Sequence, residues 1–219
     1  MHQMMNLYKP FIIFGALSTI STIILIVSIF KLTSSALYFP TISEAGAFEK
    51  CYKIYSTGMT VGSFLMCIGL FSFIKHSFDK IQQSNKQNWK QLMLYTSTSV
   101  MCFSNCYQGV MPIQLSQNMD THRVAAGIFF VTAVFNCAIY CDLYNKCQTP
   151  QKGRKIVRHC CLALLVADFV AHGAVFKSVA PHMSVTTDMS QLEPKYMTMF
   201  ALLQYLMVFV LEVVQLTLV

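Results

Sequence analysis

Of 219 residues, 55% are hydrophobic and only 11% are charged, whereas a water-soluble domain of this size carries roughly a quarter charged residues to cover its surface. Mean hydropathy is +0.51, and the apolar residues fall into long runs, which excludes an ordinary soluble globule. The net charge of +7 is distributed over short loops rather than gathered on a folded domain, so nucleic-acid binding has no support.

Six runs are long enough to cross a hydrocarbon core of about 30 Å at 1.5 Å rise per residue. They predict spans at 11–30, 54–74, 92–115, 124–143, 157–180 and 196–218. The expected fold is therefore an all-α polytopic membrane bundle, a single six-span domain over 1–219 with no linker or low-complexity tail. The first run is longer than the apolar stretch of a cleaved signal peptide, and Ser34-Ser35-Ala36 is a poor cleavage site, so a retained signal-anchor is expected. With the last span ending near Val219, no cytosolic sorting tail is expected.

The loops give the orientation. Lys9, Lys75, Lys80, Lys86, Lys90, Lys146, Lys152, Arg154, Lys155 and Arg158 fall on one side; Lys31, Lys50, Lys53, Arg123, Lys177 and Lys195 fall on the other. The excess of positive charge predicts cytosolic N- and C-termini, with the second and fourth loops also cytosolic. Trp89, at the end of the second loop, reads as an interfacial anchor. The basic segment from Lys146 to Arg158 could attract anionic inner-leaflet lipids, so membrane lipids are the expected partners, alongside protein partners not specified by sequence.

Nine cysteines suggest no disulfide framework on this topology, because only Cys51 faces the lumen or exterior. Cys67, Cys102, Cys106, Cys137 and Cys141 lie within spans as small hydrophobes. Cys147, Cys160 and Cys161 lie near the cytosolic interface, where palmitoylation is chemically feasible. No Cys/His set has zinc spacing, and no P-loop, nucleotide fingerprint or nucleophile elbow occurs. Neither a metal nor a cofactor is expected.

Polar residues within the runs require an explanation, since such groups are costly in lipid. Asp168 and His172 stand at i,i+4 in the fifth run and can share a hydrogen bond. Asn105 and Gln108 in the third run, and Thr132 and Asn136 in the fourth, suggest interhelical contacts. The sixth carries Gln204, Gln215 and Glu212, the last near enough to the chain end to reach cytosolic water. Gly58-x-x-x-Gly62 permits close helix approach.

The first lumenal loop has the densest turn chemistry: Tyr38-Phe39-Pro40-Thr41-Ile42-Ser43-Glu44-Ala45-Gly46. Pro40 fixes its own φ and biases Phe39 to an extended conformation. Ser43 is a candidate cap for a turn or short helix, and Gly46 a candidate for a backbone conformation other residues avoid. Glu44 and His122 both stand at lumenal span ends and are expected to approach each other. A rigid lumenal cap is the expected role. The alternative is catalysis by Ser43, His122 and an acid, the ingredients of an acyl-transfer site.

That loop is similar to the Phe-Pro-x-Ile-Ser-Asp-x-Gly signature of the Frag/DRAM/Sfk family of six-span membrane proteins. His122 before Ala125-Ala126-Gly127 resembles the family's entry into its fourth span, and Tyr196–Glu212 resembles its last span. Two positions depart from the pattern. Ala47-Phe48-Glu49-Lys50 replaces a Pro-Pro-Glu-like segment, and Gln204 precedes Tyr205 where a Glu commonly precedes an aromatic residue. The resemblance covers essentially the whole chain. It implies a non-enzymatic regulator in autophagy or phosphoinositide-lipid signalling, in lysosomal, endosomal or plasma membrane, with DRAM-like members the nearest. The alternative it implies is a GPI-anchor lipid-remodelling factor of Golgi or endoplasmic reticulum. A proton-coupled transporter built on Asp168 and His172 is a more distant possibility from the residues alone.

Overall fold

The structure, a computed structural model, describes residues 7–81, 88–110, 119–147, 152–179 and 194–219. Six long helices and one short one account for nearly all of them, with no strand among the described residues. They are α1 (Tyr8–Thr33), α2 (Ile42–Ala47), α3 (Tyr52–Ile81), α4 (Asn88–Val110), α5 (Met119–Cys147), α6 (Lys152–Val179) and α7 (Pro194–Leu216). Five of these, α1, α3, α5, α6 and α7, are long and apolar enough to cross a membrane. The chain is an integral membrane protein with a polytopic helical architecture.

The sixth long helix, α4, spans only part of the predicted third run, and residues 111–118 lie outside the described residues. It is less apolar because it carries the polar groups that tie it to its neighbours. Asn105 donates to Ser63 Oγ of α3 at 2.9 Å. Ser97 donates to Asn136 Oδ1 of α5 at 2.6 Å, and Thr98 meets the Tyr140 hydroxyl in the core. In a lipid-facing bundle, packing and such bonds replace the hydrophobic drive between helices. Not every predicted polar contact is interhelical. Thr132 and Gln108 bond carbonyls of their own helices.

α1 packs most extensively on α3, α3 on α4, α4 on α5, and α6 on α7; α7 also reaches α1 and α5. The α1–α3 approach depends on missing side chains. A Cβ on Gly58 would stand 1.9 Å from Thr22 Oγ1, and one on Gly62 would stand 2.7 Å from Thr19 Oγ1. Ser18 Oγ, on the same face of α1, donates to the Gly58 carbonyl at 3.2 Å. The Gly58/Gly62 pair thus serves packing within one chain.

Two charged residues stand differently from their sequence expectation. Glu212 does not reach water: it is 7% exposed and its carboxyl faces Thr19 of α1, because the α7 stripe at Leu211, Val214 and Gln215 turns inward. Arg158, counted above among the cytosolic loop charges, is fully buried. Its guanidinium donates to the Thr217 carbonyl at 3.1 Å and to Asn145 Oδ1 at 3.0 Å, and lies 4.2 Å from the Tyr144 ring centroid. Free carbonyls at a helix C-terminus carry partial negative charge, which compensates the buried cation.

Candidate functional site: the cap over one end of the bundle

The loop after α1 returns over the end of the bundle as α2. Its start is set by Thr41, whose Oγ1 accepts from the Glu44 N–H at 3.1 Å. Thr41-Ile42-Ser43-Glu44 is therefore a helix-starting pattern of the Thr-x-x-Glu kind. This corrects the sequence expectation that Ser43 is the cap: Ser43 lies one residue inside the helix and is free to bond elsewhere. Ile42, Ala45 and Gly46 point inward. Ile42 and Ala45 join a cluster with Ile26, Phe30, Cys51 and Tyr55.

Gly46 also has a different reason from the one expected. No described glycine has positive φ. A Cβ at Gly46 would instead stand 2.6 Å from two ring atoms of Tyr55, so the position is closed by a buried aromatic ring.

Three side chains of α7 grip the loop backbone. Gln204 Oε1 accepts from the Ile42 N–H at 2.8 Å. The Tyr205 hydroxyl donates to the Pro40 carbonyl at 2.9 Å, and Thr198 Oγ1 accepts from the Phe39 N–H at 3.3 Å. The Phe39 and Tyr205 rings meet edge to face, 5.3 Å apart. On the α1 side, Lys31 Nζ donates to the carbonyls of Ala36 and Tyr38, each at 3.2 Å. Each of the neutral bonds from α7 contributes about 0.5–1.5 kcal/mol, and with the Lys31 bonds they hold an otherwise irregular segment in one geometry.

The polar side chains converge. Ser43 Oγ lies 2.7 Å from His122 Nε2 at the start of α5, and the Tyr55 hydroxyl faces Ser43 from α3. The Glu44 carboxylate accepts from the Tyr38 hydroxyl. Of the expected lumenal residues, the fold thus brings Ser43 onto His122, Phe39 and Pro40 onto Tyr205, and Ile42 onto Gln204. Glu44, expected to approach His122, has Tyr38 as its hydrogen-bonded tyrosine. The loop string contains Tyr38 and Thr41 without assigning either a role, and the sequence does not single out Tyr55 or Thr198; only Thr41 carries a usable signal, in the Thr-x-x-Glu spacing.

Chemically, Ser43 and His122 are a hydroxyl and an imidazole at the distance of a nucleophile and its general base. Among the described residues, no group of His, Cys, Asp and Glu is placed to hold a metal ion.

Of the intramembrane polar residues, Gln204 belongs to the cap, and the others sit elsewhere on their helices. Asp168 Oδ2 stands 3.4 Å from His172 Nδ1 within α6, while Asn105 and Gln108 belong to α4. Cys51 lies beneath the cap, fully buried, with its thiol donating to the Ile26 carbonyl at 3.4 Å. Burial pushes that thiol above its ordinary range. All nine cysteines are free thiols.

No curated protein and no solved structure matches this chain. The family description Frag1/DRAM/Sfk1/Cwh43P N-terminal domain matches residues 7–219. With the loop signature, His122 and the α7 residues all within that match, the chain belongs to the Frag1/DRAM/Sfk1/Cwh43P family of membrane proteins.

Proposed function

We propose that this protein is a non-enzymatic multi-pass regulator of endolysosomal membranes, acting in autophagy or phosphoinositide-lipid signalling, with the cap as its recognition surface. The supporting observation is the grip of Thr198, Gln204 and Tyr205 on the backbone of Phe39, Pro40 and Ile42. A surface fixed before a partner arrives loses little freedom on binding, which favours recognition. Both termini lie in the cytosol on this reading, as the Lys/Arg distribution implies.

The test is a tagged full-length chain expressed in cells lacking the protein. Lysosomal, endosomal or plasma-membrane location, with restored autophagic flux or phosphoinositide levels, is the expected result. Golgi or endoplasmic-reticulum location with altered fatty acids on GPI-anchored proteins would replace it with lipid remodelling.

A second reading, acyl transfer, is favoured by the 2.7 Å Ser43–His122 contact. In that chemistry the Ser43 proton passes to His122 Nε2 as Oγ attacks a lipid ester carbonyl. The departing alcohol takes the proton, leaving acyl-Ser43, and an acceptor alcohol or water then removes the acyl group. A fluorophosphonate probe that labels the membrane-embedded chain, with labelling lost in Ser43→Ala and in His122→Ala, would move this reading to first place.

A further inference from the structure

At the opposite end of the bundle from the cap, α3, α4 and α5 enclose an apolar groove of about 260 Å³. Its walls include Phe78 of α3, Trp89 and Met93 of α4, and Ile139 and Leu143 of α5. The groove opens at helix ends: Ile81 closes α3, Trp89 is the second residue of α4, and Lys146 is the penultimate residue of α5. That is the level at which a spanning bundle meets the headgroups, and the 59% exposed Trp89 is the residue type that prefers that level.

The mouth is cationic. Lys90 and Lys146 line it with a single acid, Asp142. Lys146 pairs with Asp142 at 2.5 Å, both side chains well exposed, and Lys90 lies 5.8 Å from the Trp89 ring centroid. Exposed contacts of these kinds are weak and readily exchanged for a phosphate. Lys75, Lys80, Lys152, Arg154 and Lys155 add to the field at this end, against Asp79.

The occupant must join an apolar chain to an anion in one molecule. Apolar walls that open at the headgroup level onto Lys90 and Lys146 match a phospholipid, whose acyl chain and charged headgroup meet at that level. We propose that the groove seats one acyl chain of an anionic glycerophospholipid, whose phosphate is held at the mouth by Lys90 and Lys146. This assignment is independent of the regulator reading.

Trp89 is the only tryptophan of the chain, so its fluorescence reports on lipid at the groove mouth. The full chain is reconstituted in phosphatidylcholine vesicles containing graded fractions of brominated phosphatidylserine or, in parallel, brominated phosphatidylcholine. Half-maximal quenching of Trp89 is expected at about a fivefold lower mole fraction of the serine lipid for each lysine that contributes. The advantage should vanish in the Lys90→Gln/Lys146→Gln double variant, whose two exposed sites leave the fold intact by size exclusion and helical content. Inorganic phosphate at matched ionic strength should leave quenching unchanged. Equal quenching by the two lipids would overturn the proposal. So would a preference that survives in the double variant, or relief of quenching by phosphate alone, which would mark a free-anion site.

Discussion

Ser43 Oγ and His122 Nε2 lie 2.7 Å apart across 79 positions of sequence, joining the short helix of the cap to the start of α5. If the bond is a strut, Ser43→Ala removes it and lowers stability by about 1–3 kcal/mol. The expected result is a lower melting temperature in detergent, with function falling only as abundance falls. Loss of function at normal abundance and location would favour acyl transfer instead.

Gly46→Ala should damage the cap more than Glu44→Gln. The first forces a methyl group into the Tyr55 ring, at 2.6 Å, and overpacking of this kind costs about 1–3 kcal/mol. The second keeps an oxygen to accept from Tyr38 and removes a charge worth about 0–1 kcal/mol at a partly exposed site. Paired thermal unfolding of the two variants checks the order, and a larger loss from Glu44→Gln would contradict it.

Gly58→Val should break the chain's own packing rather than a dimer. The new side chain would overlap Thr22 of α1, which already sits 1.9 Å from an ideal Cβ. Reduced yield and early unfolding of the monomer are expected. A well-folded variant changed only in oligomeric state would show that the glycine face meets a second copy.

Arg158→Lys should destabilise the end of the bundle opposite the cap although charge is conserved. A lysine cannot bond the Thr217 carbonyl and Asn145 together while lying flat on Tyr144, as the guanidinium does. Losing one charge-assisted bond predicts about 1.5–3 kcal/mol, seen as a lower melting temperature and faster proteolysis near Val219. An unchanged melting temperature would refute this anchoring role.

Thiol labelling tests both orientation and cap. Ser84, Thr149 and Thr186, natural choices from sequence, lie outside the described residues. Ser35→Cys and Lys152→Cys are exposed alternatives on opposite sides. The first should react with an impermeant maleimide from the lumenal or outer side, and the second only after permeabilisation. Cys51 should stay silent in the folded protein. Its burial raises the thiol pKa, so less thiolate is present in the folded protein at any given pH, and denaturant, which removes both the shield and the shift, should restore rapid reaction. Fast labelling of Cys51 in the native state would show that the cap opens.

How much of this was legible in the sequence follows from range. Apolar runs and loop charge are local properties, so helix positions at α1, α3, α5, α6 and α7 were readable, and the family signature in Phe39–Gly46 could be read letter by letter. α4 was the weakest span for a physical reason: Asn105, Ser97 and Thr98 dilute its apolarity because their partners, Ser63, Asn136 and Tyr140, lie on other helices.

What only the tertiary structure decided are the pairings between distant segments. Periodicity places Ser43, His122, Gln204 and Tyr205 near one end of the bundle, yet cannot say which side chains meet. The helix start at Thr41 turns Ser43 toward His122 and leaves the Ile42 N–H for Gln204. Gly46 likewise looks in sequence like a residue chosen for backbone freedom, and is needed because a ring 9 positions later fills the space a side chain would take. Burial of Glu212 and Arg158 follows the same rule: the sequence places a charge near a helix end, but the packing of α7 against α1 and of α6 against α7 decides whether water reaches it.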